Sequence, residues 1–508
     1  MNYLYRSYRR WNIDSIELIF FILLLLTSLT FVQVIHPYAC LTVCLCLALS
    51  FIVYLKPMTG VYLFIVLYPL NSICLTFNYT PSQKIFVYFE TIFSSVLLLI
   101  MIIRQLIEHH QHPVHNEPSG AFSHKFLIFL LALFIVWSVF TTFRSDYFIY
   151  SLFGWWRFIT SFVIIAFLML YLDSYDKFIS VMIFYCFVSV IYALAAVCAT
   201  YFAFEVKYEL FQIFDNFIYI NISLFNQSFG VVATNVGMIT GVGLAAKHEL
   251  AVLLSGGIFF AVFLIAIYNS WKIRGVLLIL VMLFITIIYQ INARISIIGI
   301  CLVVLFLCLA ISYWRKSIIW AVIVLLVFNL AGIFVFSLIQ TTHKKNMETI
   351  VNIIEPTVSK SEFEPGSLSM RKSVWKRSAE RILENRGLGS GPDSLMKDIA
   401  FNLPHSHNLL LTLATEYGLP GMALILLFLL VVTDSAYKSV FIDQKTKDNL
   451  WLLRAVFVAA VLVALLEYGL DLAISHKQLW FMLGLLMASI NVAKKETNRN
   501  KLYQPAVL

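Results

Sequence analysis

The chain has 508 residues, of which 61% are hydrophobic and only 12% charged. A soluble domain carries about a quarter charged residues, so this composition excludes a water-soluble globular fold. The net charge of +9 does not argue for nucleic acid, because basic residues gather at cytoplasmic helix ends in a membrane protein.

Apolar runs near the length that crosses a bilayer recur from Ile16 to Val492. The chain therefore reads as an all-α polytopic membrane protein. Spans are expected near 16–35, 39–55, 60–77, 85–103, 125–143, 157–172, 178–200, 249–268, 273–291, 295–312, 317–339, 418–433, 451–469 and 477–492. This gives about 12–14 transmembrane helices. The first run, Ile16 to Ile35, is long for a signal segment and lacks a small-x-small cleavage site, so it reads as a retained span.

Arg6, Arg9 and Arg10 place the N-terminus in the cytoplasm. Alternation from there puts Lys56, Arg104, Lys125, Lys177, Lys272, Arg274, Arg315, Lys316, Lys438, Lys445, Lys447 and the basic tail on the same side. It leaves the loops around 201–235 and 340–417 outside, and both termini inside. Three regions follow: 1–339, transmembrane helices including an outer-junction Arg294; 340–417, a large extracytoplasmic loop that is partly helical; and 418–508, C-terminal helices with a basic tail.

Several segments have bland readings. The histidines of residues 109–115 lie near Pro113 and Pro118, which oppose a shared helical face for metal ligands, so the segment reads as a solvated loop. The eight cysteines show no zinc or thioredoxin spacing and read as packing residues. The aromatic loop 201–235 suits the membrane interface. Lys247, His248 and Glu249 read as a helix boundary.

Three features concentrate between Gly366 and Gly421. Ser369 to Asn385 reads as a helix with Val374, Trp375, Ala379, Ile382 and Leu383 on one apolar face and Arg371 at its border. A plain surface helix has the same pattern. Gly387 and Leu-Gly-Ser-Gly then make a tight turn. Pro404-His405-Ser406-His407-Asn408 leads into the apolar Leu409 to Thr415. With Ser406 as N-cap, His407 would sit in the first turn, where the helix dipole keeps an imidazole neutral. Structural histidines at a helix start would look alike. Arg294, following Tyr-Gln-Ile-Asn-Ala, stands at an outer junction, either snorkelling to the interface or facing inward as an anion-binding residue.

Together these parts suit one chemistry. Two arginines can grip a diphosphate by charge-assisted bonds, and a neutral histidine can deprotonate an acceptor hydroxyl. The sequence has no Walker-type loop and no Asp-x-Asp pair for a metal-bound nucleotide. Glycosyl transfer from a lipid-linked diphosphate on the outer side fits both features.

The order of motifs resembles the O-antigen ligase superfamily, which includes O-antigen and capsule polymerases. The residues that carry the resemblance are Arg294; Arg371 and Trp375; Glu384, Asn385, Gly389 and Gly391; His407, Asn408 and Leu411; and Glu416, Gly418 and Gly421. They span roughly 240–430. Ala293 precedes Arg294 where the family has serine. The resemblance implies a metal-independent, inverting transfer with no cofactor, from an undecaprenyl-diphosphate-linked glycan. It implies Arg294 and Arg371 as the diphosphate clamp and His407 as general base, with His405 as a second candidate or a helper and Asn408 and Glu416 as helpers. The setting it implies is a bacterial inner membrane with a periplasmic site and a lipid A–core acceptor. A repeat-unit polymerase would use the same donor. A lipid-linked oligosaccharide flippase is a third reading, although it needs no general base and should show two related halves; a structural membrane scaffold is a fourth.

Overall fold

The computed structural model describes residues 49–67, 69, 73–80, 83–111, 122–201, 207–214, 218–223, 241–242, 245–290, 299–300, 368–394, 408–442, 449–470 and 477–502. Helices dominate, as expected of a polytopic helical membrane protein. Among the described residues six helices are long and apolar enough to cross a bilayer: Phe126–Phe143, Phe148–Tyr171, Tyr175–Ala196, Leu250–Ile267, Trp271–Ile288 and Gly418–Val440. They agree with six of the expected spans. The expected spans near 16–35 and 317–339, most of 295–312 and most of 39–55 lie outside the described residues.

In chain order, α1 is Pro57–Leu67, β1 Ile73–Thr80, β2 Gln83–Tyr88, α2 Phe89–Gln111, α3 Phe122–Phe143, α4 Phe148–Tyr171 and α5 Tyr175–Tyr201. β3 is Lys207–Phe214 and β4 Ile218–Ser223. Then follow α6 Lys247–Ile267, α7 Trp271–Gln290, α8 Leu368–Glu384, α9 Leu409–Glu416, α10 Gly418–Tyr437, α11 Asn449–Leu470 and α12 Lys477–Leu502. A short π-helical turn, Lys438–Ile442, extends α10.

The span expected at 60–77 is corrected. α1 stops at Leu67 and the chain turns into β1. Pro69 cannot continue a helix, and the Ile-Cys-Leu-Thr-Phe-Asn-Tyr-Thr run that follows favours extended backbone. The strands form one antiparallel sheet of order β2-β1-β4-β3. Phe77 pairs with Ile85 and Ile218, so a hairpin between the early spans joins one from the 201–235 loop. All four strands fall near segments that the charge pattern puts outside.

The bundle is close-packed. α12 lies along α4 and α11, α10 along α3, and α6 against α5, α7 and α11. Side chains facing outward, such as Ile128, Val136 and Ile279, are apolar and exposed, as lipid contact requires. α4 shows how the two ends differ. Near its C-terminus Tyr171 lies under the Arg104 guanidinium, 5.4 Å from ring centroid to Cζ, and its carbonyl accepts from Lys177 Nζ at 3.0 Å. This end carries the residues that the charge rule puts inside. Arg157 lies fourteen residues earlier, about 21 Å away along the helix.

Candidate functional site

The site begins with how α8 ends. Gly387 N–H bonds to Ile382 C=O at 2.8 Å and Arg386 N–H to Leu383 C=O at 2.9 Å. Arg386 takes the left-handed conformation with φ 54°. This is a Schellman closure with arginine at the position glycine usually fills. The buried stripe of α8 is Val374 and Ser378. Ala379 and Leu383 face outward, with Leu383 78% exposed, so the apolar face expected from the sequence is corrected.

That turn, residues 387–393, caps a second helix. The last carbonyls of a helix have no partner within it. In α9, Ser390 N–H donates to Thr415 C=O and Gly391 N–H to Glu416 C=O, each at 2.9 Å. Trp137 Nε1, from α3, donates to Tyr417 C=O at 2.6 Å. Leu419 N–H returns a bond to Gly387 C=O at 2.8 Å. The two chain segments thus cross backbone to backbone. A Cβ on Gly389 would lie 2.7 Å from both Glu416 O and Gly418 N, and one on Gly418 would lie 2.6 Å from Gly387 O. Both glycines have positive φ, 88° and 74°. Glycine is needed at both places for space and for conformation.

α4 receives this crossing. Three successive residues in it reach three elements, as the 100° step of a helix allows. Trp155 Nε1 donates to Ser138 Oγ of α3, and Trp156 Nε1 to Ser95 Oγ of α2, each at 2.8 Å. Arg157 pairs with Asp393 of the turn at 2.6 Å, both side chains mostly buried. Lys477, at the start of α12 and 1% exposed, donates to the Arg157 carbonyl at 2.6 Å and to Thr160 Oγ1 at 2.5 Å. Beneath, Tyr417 packs on Phe134 and Phe158, and Phe158 on Trp480.

Glu416 closes α9, 4% exposed. Burial pushes its carboxyl well above the ordinary 4.5; Asp393 adds to the rise, while Arg157 and the Asp393 N–H that donates to it oppose it. Burial thus favours the protonated form of this carboxyl beside the Arg157–Asp393 pair.

At its other end α9 is capped by Asn408, whose side chain accepts from Leu411 N–H at 3.1 Å. Ser406 is therefore not the cap of this helix, and His407 stands one residue before it. The dipole argument for a neutral His407 loses its first-turn position, since the effect falls off beyond that turn. The cap moved because Asn408 itself has the extended backbone and short polar side chain that a cap requires.

Of the residues expected in the site, Asn408 and Glu416 cap the two ends of α9, and Arg371 lies in the first turns of α8, which packs on α9. Arg294, His405 and His407 lie outside the described residues, as do all of residues 340–367 and 395–407 of the expected loop.

Residues 278–426 match a family model described as O-antigen ligase. The match covers under a third of the chain and marks this segment as similar to O-antigen ligases. The matched stretch holds Arg294, α8, the glycine turn, α9 and the first turns of α10. The ligase-type segment is thus the part of the chain that makes the backbone crossing, and the half-buried Trp137 and Arg157 and the buried Lys477 that brace it come from outside it. No curated protein matches the chain. Among the described residues no group of three His, Cys, Asp or Glu side chains is arranged to hold a metal ion.

Sequence reasoning missed Arg157, Asp393 and Lys477. The signal for Arg157 was present. An arginine inside an apolar helix is a functional residue by default, and it wants a partner on the same side. Starting the span at residue 157 made it look like a boundary residue; the helix starts at Phe148.

Proposed function

We infer that this protein transfers an undecaprenyl-diphosphate-linked glycan to a sugar hydroxyl of lipid A–core on the periplasmic face of the bacterial inner membrane. Arg294 and Arg371 hold the diphosphate, and His407 takes the proton from the acceptor hydroxyl. The sugar–phosphate bond then breaks as the glycosidic bond forms, with inversion, and the lipid diphosphate leaves. His405 assists the base, Asn408 fixes the start of α9 next to His407, and Glu416 holds its far end. The reaction needs no metal or cofactor, because the arginines carry the leaving group's charge.

The observation that supports this most is the packing of α8 on α9 through the glycine turn. It joins the helix of Arg371 to the helix that follows His407, inside the family-matched segment.

A deletion strain tests it. Lipopolysaccharide is run on a gel, and both it and the membrane lipids are probed for glycan. Long glycan on the lipid carrier with bare lipid A–core is the expected result. Lipid A–core bearing a single repeat unit would mean a polymerase with the same donor. No change in either pool would remove transfer and favour transport.

A further inference from the structure

We propose that Arg157, Asp393 and Lys477 form a clamp that positions the reacting corner, so that two residues outside the family-matched segment, Arg157 and Lys477, help set the rate of transfer. The proposal rests on the transferase reading above and adds three positioning residues to it.

The turn 387–393 caps α9 through Ser390 and Gly391 and holds α10 through Gly387. Whatever fixes the turn therefore fixes α9 in place, together with its cap Asn408. Backbone bonds tie the turn to α9 and α10, and Ser390 Oγ adds a bond to Thr415 C=O at 2.9 Å. Among the described residues the polar side chains that tie the crossing to the rest of the bundle include Trp137 of α3 and Arg157 of α4, beside the ring packing of Tyr417 on Phe134 and Phe158. The fit at Asp393 is close: Asp393 sits at φ 56°, and a Cβ on Gly154 would lie 2.6 Å from its Oδ2. Lys477 then seats the same turn of α4 against α12. The three residues come from α4, the turn and α12, which are far apart in sequence and on one end of the bundle.

A buried ion pair is a costly way to gain stability alone, since apolar side chains of similar size would often serve as well. Its value is direction, because a charge-assisted bond at 2.6 Å fixes where the turn sits. None of the three residues is assigned contact with substrate.

The test uses the full chain in proteoliposomes. The donor is a lipid extract from the deletion strain, and the acceptor is lipid A–core from the same source. Misplacing a reacting group by an ångström costs about a hundredfold in rate, so Arg157→Ala is expected to lower kcat by about that factor. Apparent KM for the donor extract should stay within about threefold, because binding is not what the clamp sets. Arg157→Lys should recover most of the loss, since the contact to Asp393 is a single N–O bond and not a fork. The Arg157→Ala, Asp393→Ala double variant should lose no more than Arg157→Ala alone. Asp393→Asn keeps the shape of the turn and guards against a misfolded alanine variant. Normal kcat in folded Asp393→Asn, or additive losses in the double variant, would overturn the clamp. The transferase reading fails separately. If His407→Ala stays active while Arg157→Ala loses kcat, the clamp stands and the base assignment falls. If the wild-type chain transfers nothing, hydrogen exchange across 385–416 decides: faster exchange in Arg157→Ala supports the clamp, and unchanged exchange overturns it.

Discussion

The two ends of the helix bundle handle charge differently. At the end assigned to the cytoplasm, Arg104 rests on Tyr54 and Tyr171, and Lys177 pairs with Asp173 while 35% and 52% of their side chains stay exposed. Such pairs are worth little and tolerate change. At the opposite end Arg157, Asp393, Glu416 and Lys477 are largely or fully buried, and a backbone crossing runs among them. Water does not repay mistakes there, so each group needs its partner. Charge at the first end follows the pattern expected of the side that the charge rule puts inside. Charge at the second holds a shape.

The comparison can be broken by substitution. The largest effect is expected from Gly389→Ala. It places a Cβ against backbone in a left-handed residue, and costs about 3 kcal/mol or more. Folded yield and melting temperature in detergent should both fall sharply. A stable Gly389→Ala protein would mean that the backbone crossing does not govern this end.

Arg371→Lys should come next and should act on catalysis alone. A point charge cannot replace a planar fork on a diphosphate, so transfer should drop while melting is unchanged. Full activity with lysine would leave simple charge as sufficient.

Glu416→Gln sharpens the electrostatic side. The folded carboxyl is raised above 4.5, so the folded chain holds a proton that the unfolded chain releases. Wild-type stability therefore falls as pH rises above the unfolded value, until the folded carboxyl itself ionises. Glutamine mimics the protonated acid and lacks this loss. Between about pH 5 and pH 8 the melting temperature of Glu416→Gln should gain on wild type as pH rises. A constant gap would show that Glu416 is already charged.

Asn408→Ala should cost about 1 kcal/mol through the lost N-cap. The smallest effect belongs to the end that the charge pattern puts inside. Arg104→Ala should cost about 0.5–1 kcal/mol of cation–π attraction, with transfer unchanged. A large loss of transfer in Arg104→Ala would erase the distinction between the ends.

Much of the fold was legible in the sequence because the bilayer imposes it. Apolar length gave six spans to within a few residues, apart from α4, and the charge rule grouped Arg104 with Lys177 before the structure put them together. The sheet was not legible, since an apolar run fits a strand or a span, and only Pro69 hinted at the break. At the site, α8 and the glycine turn were read nearly to the residue from periodicity and Gly spacing. What those glycines touch was not legible, because Gly389 meets Gly418 across a long chain separation. The cap of α9 was misplaced by two residues, since Ser406 and Asn408 are both good caps and packing chooses between them. Arg157 and Asp393 are 236 residues apart, and no local pattern links them.

The most direct test of the central claim is His407→Ala, expressed in the deletion strain and checked for membrane insertion. The account predicts normal insertion, bare lipid A–core and glycan retained on its lipid carrier. Glycan on lipopolysaccharide at wild-type level, from a protein inserted at wild-type level, would contradict it.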